Sequence, residues 1–320
     1  MRHIFVVFFL LFIIPAPVTA GELSLLGGYG WMNNPVQKTF AWQIQYMEGL
    51  GEHFAYSLSY LNQGHFIEHH RDVHAANLWF RTNLADRHLS LGVGAGPLFY
   101  YDTIHPSNGG PATDFHGWGT MTSVAATWYT ESRLLFQVQG YWVRGGQSFN
   151  TLSALAGIGY QLDPPPGDQG PDVRGTHQGE NTTENELTIF GGQTTVNIPG
   201  PGHSGAMALE YRRGIWRYLE CTLRALYEGR SGLIDRYGAT GQLWLAKQFL
   251  NDRIALGAGF GGYLAIDGRQ NSDFFASEVV SMSGSYRVSR HWLARITWDR
   301  IITSYNRDSD IFLGGIGYRF

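Results

Sequence analysis

The chain has 320 residues, of which 43% are hydrophobic, 14% aromatic and only 15% charged, with 42 glycines and a single cysteine. A formal net charge of −3, with no basic run longer than Arg212-Arg213, excludes a nucleic-acid partner held by charge. Cys221, being alone, excludes an intrachain disulfide and a cysteine-built metal centre.

Abundant strand and turn formers with little charged surface make this a β composition. Residues 1–20, MRHIFVVFFLLFIIPAPVTA, carry a basic start at Arg2, an apolar run from Ile4 to Ile14, then Pro15, Pro17 and small residues at Val18 and Ala20. This is the pattern of a signal peptide cleaved near Ala20. The apolar run is too short for the ~20 residues a membrane helix needs, and no later stretch is long enough. From residue 21 onward, segments alternate large apolar and polar side chains, the period of a strand with two unlike faces. In FAWQIQYMEG, Trp42, Ile44 and Tyr46 oppose Ala41, Gln43 and Gln45. Further on, Phe136, Val138 and Trp142 oppose Gln137 and Gln139, while Ile296 and Trp298 oppose Arg295, Thr297 and Asp299. Connections alternate between short turns, near residues 49–52, 84–87, 129–132, 215–218 and 250–253, and longer stretches such as IHPSNGGPATDFHG. That asymmetry points to a transmembrane antiparallel up-and-down β-barrel rather than a sandwich.

The chain writes itself twice. LGVGAGPLFYYDT, starting at Leu91, returns as LGAGFGGYLAIDG, starting at Leu256, an offset of 165 positions. The same offset aligns Ala41 with Ala206, Leu61 with Leu226, Gly64 with Gly229, Arg71 with Arg236, Trp79 with Trp244 and Asp102 with Asp267. Near the end the offset is 158, where AGIGYQL matches GGIGYRF. The organisation read from this is a first eight-strand repeat over 21–162, a Pro/Gly-rich linker over 163–185 and a second eight-strand repeat over 186–320, about sixteen strands in all. Two small barrels, or one sixteen-stranded barrel of porin size, both fit that count. The linker and the inward pairing of Gly92, Gly94 and Gly96 with Trp79 favour two, because a small barrel must fill its interior.

The closing FLGGIGYRF, with Phe312, Ile316, Tyr318 and Phe320 on one face, resembles the strand that bacterial barrel-assembly machinery recognises. The whole mature chain resembles, by pattern, the small outer-membrane barrel superfamily that includes OmpA-like and OmpX-like barrels and the lipid A deacylase PagL. The resemblance implies the outer membrane of a Gram-negative bacterium, with membrane lipids, lipopolysaccharide and the assembly machinery as partners. It implies no activity by itself. The deacylase His-x-Ser pair has no match in YWVRGGQSFN or TWDRIITSYNRDSD, and His203-Ser204 are adjacent rather than spaced. The expectation is therefore a non-enzymatic envelope or surface-interaction protein without a cofactor. A sixteen-stranded diffusion channel and a lipid A-modifying enzyme are the alternatives.

Two clusters could ligate a metal. GHFIEHHRDVH places His65, Glu68, His69, His70, Asp72 and His74 in one expected external loop, with imidazoles and carboxylates suited to zinc or copper. NRDSD alternates Asn306, Asp308 and Asp310, oxygen donors suited to a divalent ion. In the second half, Glu210, Glu220, Arg224, Arg295 and Asp299 fall on inward faces, where opposite charges can pair. Gln45, Ala55, Ser59, Gln137 and Tyr141 hold the matching places in the first.

Overall fold

The computed structural model describes residues 21–320 apart from 34–35, 68, 105, 107–112, 146–148, 163–169, 172–182, 198–201, 217, 251, 270–273 and 306. The expected signal peptide, most of the linker, Glu68 and Asn306 lie outside the described residues.

Sixteen strands form two closed antiparallel barrels of eight. The first runs from β1 (Glu22–Asn33) through β2 (Val36–Gly49), β3 (Phe54–Phe66), β4 (His69–Leu84), β5 (Leu89–Ile104), β6 (Thr113–Tyr129) and β7 (Leu134–Gly145) to β8 (Phe149–Gln161), which pairs back onto β1. The second comprises β9 (Glu186–Val196), β10 (His203–Gly214), β11 (Leu219–Arg230), β12 (Asp235–Phe249), β13 (Ile254–Asp267), β14 (Phe274–Arg287), β15 (Trp292–Ile302) and β16 (Ser309–Arg319), closed by β16 on β9. The single sixteen-stranded barrel is therefore ruled out. Each repeat ends in a strand that satisfies the free edge of its own first strand, so no unpaired edge is left to merge with the other repeat.

One end of each barrel carries the tight turns: 50–53, 85–88, 130–133, 215–218, 250–253 and 288–291, four residues each. We call this the turn end and the other the loop end. At the loop end the expected loop over 65–74 does not form. β3 reaches Phe66 and β4 starts at His69, so this polar segment is strand on both sides of residues 67–68. Alternation continues past the apolar belt, and pairing of the backbone does not require greasy side chains. A bulge kinks β3 between Asn62 and His65, and another kinks β11 between Tyr227 and Gly229. Gly64 (φ 55°) and Gly229 (φ 86°) supply the left-handed backbone there. The duplication has kept this bulge.

Inward packing repeats as well. Trp79 is 2% exposed and lies over Gly94, where an added Cβ would stand 2.6 Å from the indole. Trp244 covers Gly259 in the same way. The indole N–H donates to Ser57 Oγ at 2.8 Å in one barrel and to Thr222 Oγ1 at 3.0 Å in the other. Outward faces are apolar: Leu25, Val93, Val138 and Ile158, or Ile189, Leu223, Ile296 and Ile316, are all exposed. Exposed aromatic side chains ring both ends. Trp118, Tyr237 and Phe274 lie toward the loop end, with Trp128, Trp292 and Tyr318 toward the turn end. A greasy belt between two aromatic girdles is the surface of a transmembrane barrel. Among the described residues no helix is long and apolar enough to cross a membrane; the strands cross instead.

Candidate functional site

The second barrel is filled by one ion-pair network. Arg224 of β11 bonds Glu210 of β10 and reaches Asp299 of β15 at 2.6 Å. Arg212 bonds Glu210 at 3.1 Å and Glu220 at 2.8 Å, while Arg295 bonds Glu186 at 2.6 Å. Glu210, Glu220, Arg224, Arg295 and Asp299 are all buried inside this barrel. So narrow an interior tolerates charge only when it is paired. Arg212 and Glu186 belong to the network too, and sequence reasoning passed over them. The signal was present, since Arg212 stands two residues from Glu210 on one face.

The first barrel is filled mainly by neutral groups. Gln45, Ala55, Ser59, Gln137 and Tyr141 are buried at the matching places. Bonds cross the lumen from Gln63 to Thr151 at 2.8 Å and from Asn77 to Ser123 at 3.2 Å; Tyr129 reaches Glu22 at 2.9 Å. Near the loop end both barrels keep an arginine anchor. Arg71 bonds Asp102 and Gln63, and its counterpart Arg236 bonds Glu228.

A second polar cluster lies outside both lumens, where the barrels touch. Tyr60 of the first barrel packs with Val280 and Ile302 of the second, flanked by Trp42, Ile44, Tyr101 and Phe260. The rings of Trp42 and Trp298 meet edge to face at 5.3 Å, and at the turn end Tyr160 meets Phe249 at 5.0 Å. At the loop-end margin of this seam, outward side chains of β4 meet outward side chains of β14 and β15. Arg300 bonds His70 Nε2 and approaches Asp72 at 3.2 Å, Asp308 at 3.4 Å and Asp310 at 3.2 Å. His74 lies 2.7 Å from Glu278, which also accepts a 2.8 Å bond from the Tyr101 hydroxyl. Asp72 takes further bonds from Tyr60 at 2.5 Å and Asn62 at 2.8 Å. Charges on a lipid-facing surface are costly; here they are paired at the seam, Arg300 reaching His70 and Asp72 and Glu278 reaching His74 across it. Asp308, in the connection before β16, has its carboxyl pushed up to about 6 by burial and by the Asp72 charge, against the pull of Arg300.

The two expected metal clusters are thus dispersed and partly joined. His69 turns to Asp102 at 3.1 Å and His74 to Glu278, while His70 and Asp72 converge with Asp308 from the other cluster. Ligating atoms of His70, Asp72 and Asp308 lie within 4.8 Å of one another. The Arg300 guanidinium contacts all three. Asp310 bonds Asn197 as well as Arg300. Glu278 and Arg300 were missed by sequence reasoning, although each is a charge on an otherwise apolar outward face. His203 bonds Thr195, and Ser204 Oγ donates to the Glu228 carbonyl; the adjacent pair points to opposite faces of β10.

No protein-family model matches the chain, and no curated protein does. Solved structures are similar to it. The N-terminal β-barrel domain of Pseudomonas aeruginosa OprF is 13% identical, with 44% of this chain and 97% of that one covered and a TM-score of 0.37. The COG4313 outer membrane channel from Pseudomonas putida F1 is 12% identical over 95% of this chain and 96% of its own, with a TM-score of 0.23. The Acinetobacter baumannii outer membrane protein Omp33 is 10% identical over 94% and 98%, with a TM-score of 0.20. Closure, antiparallel order, apolar belt and aromatic girdles make both halves of this chain barrels of the outer-membrane class.

Proposed function

We propose that this tandem pair of outer-membrane barrels is a non-enzymatic envelope protein of a Gram-negative bacterium, acting as one rigid two-barrel body that serves structure and surface interaction. Its turn ends face the periplasm and its loop ends face outward, in contact with lipopolysaccharide. The assembly machinery would read the strand ending at Phe320. The observation that carries this reading is the filling of both lumens by side chains bonded across them, Arg224 to Asp299 in one and Gln63 to Thr151 in the other. A diffusion pore needs an open aqueous path, whereas these bonds occupy it. Bilayer recordings on the refolded full chain test the proposal. The expected record has no large steady conductance; a stable ohmic channel of porin size would overturn it.

A further inference from the structure

The turn-end mouth of the second barrel holds a half-open cavity at the edge of its ion-pair network. Five guanidiniums and three carboxylates line it. Two of the arginines, Arg212 and Arg295, are spoken for by Glu220 and Glu186. Even so, Arg212 Nη2 and Arg295 Nε are buried with no hydrogen-bond partner among the described residues. The other three are Arg253, Arg287 and Arg319, and Asp252 is the remaining acid of the lining. Arg319 has a single long contact, 3.5 Å to the exposed Glu184. Arg253 and Arg287 make no ion pair among the described residues. The hydroxyls of Ser283 and Ser285 also open into the cavity without a partner. The cavity has room for more than a single water.

The duplicated scaffold provides an internal control. Arg287 donates its backbone N–H to the Arg253 carbonyl, as Tyr129 does to His88 in the first barrel, so the two pairs are equivalent. Arg319 likewise matches Gln161, because each bonds the carbonyl of the preceding turn, at His291 and Arg133. At these three places the first barrel has histidine, tyrosine and glutamine. Its Tyr129 hydroxyl caps Glu22 at 2.9 Å. In the second barrel Arg295 takes the matching Glu186, and Arg287, which feels Asp252 and Glu186 only at longer range, makes no close ion pair among the described residues. The first barrel has arginines at its mouth too, but Arg81 and Arg87 are bonded to the carbonyls of Gly51 and Pro171, and Ala246 and Asp252 hold their places in the second; arginine at the positions of Arg253, Arg287 and Arg319 belongs to the second repeat alone.

We infer that the turn-end mouth of the second barrel is a binding site for a phosphate group, held by Arg287 and Arg253 with Ser283 and Ser285 donating. Planar guanidiniums and hydroxyls are the donors that recognise a tetrahedral oxyanion. The phosphate belongs either to a free solute or to a phospholipid headgroup at the membrane margin. Both present anionic oxygens on a tetrahedral phosphorus, all of them free in the solute and two of them free in the diester headgroup.

The test titrates inorganic phosphate into the refolded full chain in a phosphate-free, non-ionic detergent, read by calorimetry, with short-chain phosphatidylglycerol as competitor. Arg287→Tyr and Arg253→His import the residues of the first barrel, so both variants keep side chains that this fold accommodates. The expected result is one saturable site, weakened about tenfold or more in each variant, as loss of a charged hydrogen bond implies. Arg230→Gln, at an exposed external position, leaves it unchanged. Displacement by phosphatidylglycerol assigns the site to a lipid headgroup; failure to displace assigns it to a free phosphate. No saturable binding at millimolar phosphate, or binding equally strong in Arg287→Tyr and Arg253→His, overturns the inference.

Discussion

Replacing Arg300 with methionine isolates what holds the barrels together. The guanidinium stands among Asp72, Asp308 and Asp310, all within 3.4 Å, and bonds His70. Asp72 is 1% exposed and Arg300 2%, so water does not replace the lost partner. Removing one member of a buried pair costs about 3–5 kcal/mol, because the remaining charge is stranded. Each barrel closes through its own hydrogen bonds, so the loss falls on the seam and not on barrel closure. Trp42 and Trp298 meet across that seam; their fluorescence during denaturant unfolding reports its opening. Arg300→Met is expected to move this transition to lower denaturant, while the later unfolding of the separate barrels stays in place. Arg300→Ala adds a sharper test. It empties the centre of His70, Asp72 and Asp308, whose ligating atoms already lie within 4.8 Å. Zinc, which needs ligands at about 2.0–2.2 Å from nitrogen and oxygen, is then expected to restore the early transition in the variant without shifting the native chain. An unchanged early transition in Arg300→Met would refute the reasoning.

Three further outcomes follow from the same geometry. Asp308 faces Arg300, Asp72 and His70, and its carboxyl titrates near 6 when folded against about 4 when exposed. Its contribution to stability is complete below about pH 4 and is lost as pH rises through about 6, so Asp308→Asn should flatten that part of the stability profile. Arg224→Met strands Glu210 and Asp299 inside the second barrel and should cost about 3–5 kcal/mol in urea unfolding, with the first barrel unaffected. Gly94→Ala drives a methyl group into the Trp79 ring and should cost about 1–3 kcal/mol. In a Trp79→Ala background the same change should be close to neutral; a full penalty there would show that the ring is not what the glycine accommodates.

The barrels were legible in the sequence because alternation with two unlike faces leaves strands few ways to close, and because the glycine beside each tryptophan demands a narrow lumen. The inward charges Glu210, Arg224, Arg295 and Asp299 were legible for the same reason: a face is fixed by counting in twos. The seam was not. Trp42, Ile44 and Trp298 read identically whether they face lipid or another barrel, since both environments are apolar. Polarity blurred the other boundary: a segment rich in histidine resembles a loop, yet β4 continues through it from His69. The one trace of the seam in the sequence is the pair Glu278 and Arg300, each alone on a greasy face with no partner on its own strand.

The seam also fixes the symmetry of the pair. The outer face of β2 to β5 meets that of β12 to β15, which in the duplicated numbering answers to β4 to β7, so the two surfaces overlap only in part. The contact is therefore heterologous, front to side, and carries no twofold axis of the kind that closes a dimer on itself. Such a contact could in principle be extended by a third unit in the same sense. Composition stops the series. Where the first barrel offers His70, Asp72 and His74, the second has Asp235, Tyr237 and Ala239; where the second offers Glu278 and Arg300, the first has Thr120 and Trp142. Divergence after duplication has given each unit one adhesive face and one inert one, which makes two the natural length of the row.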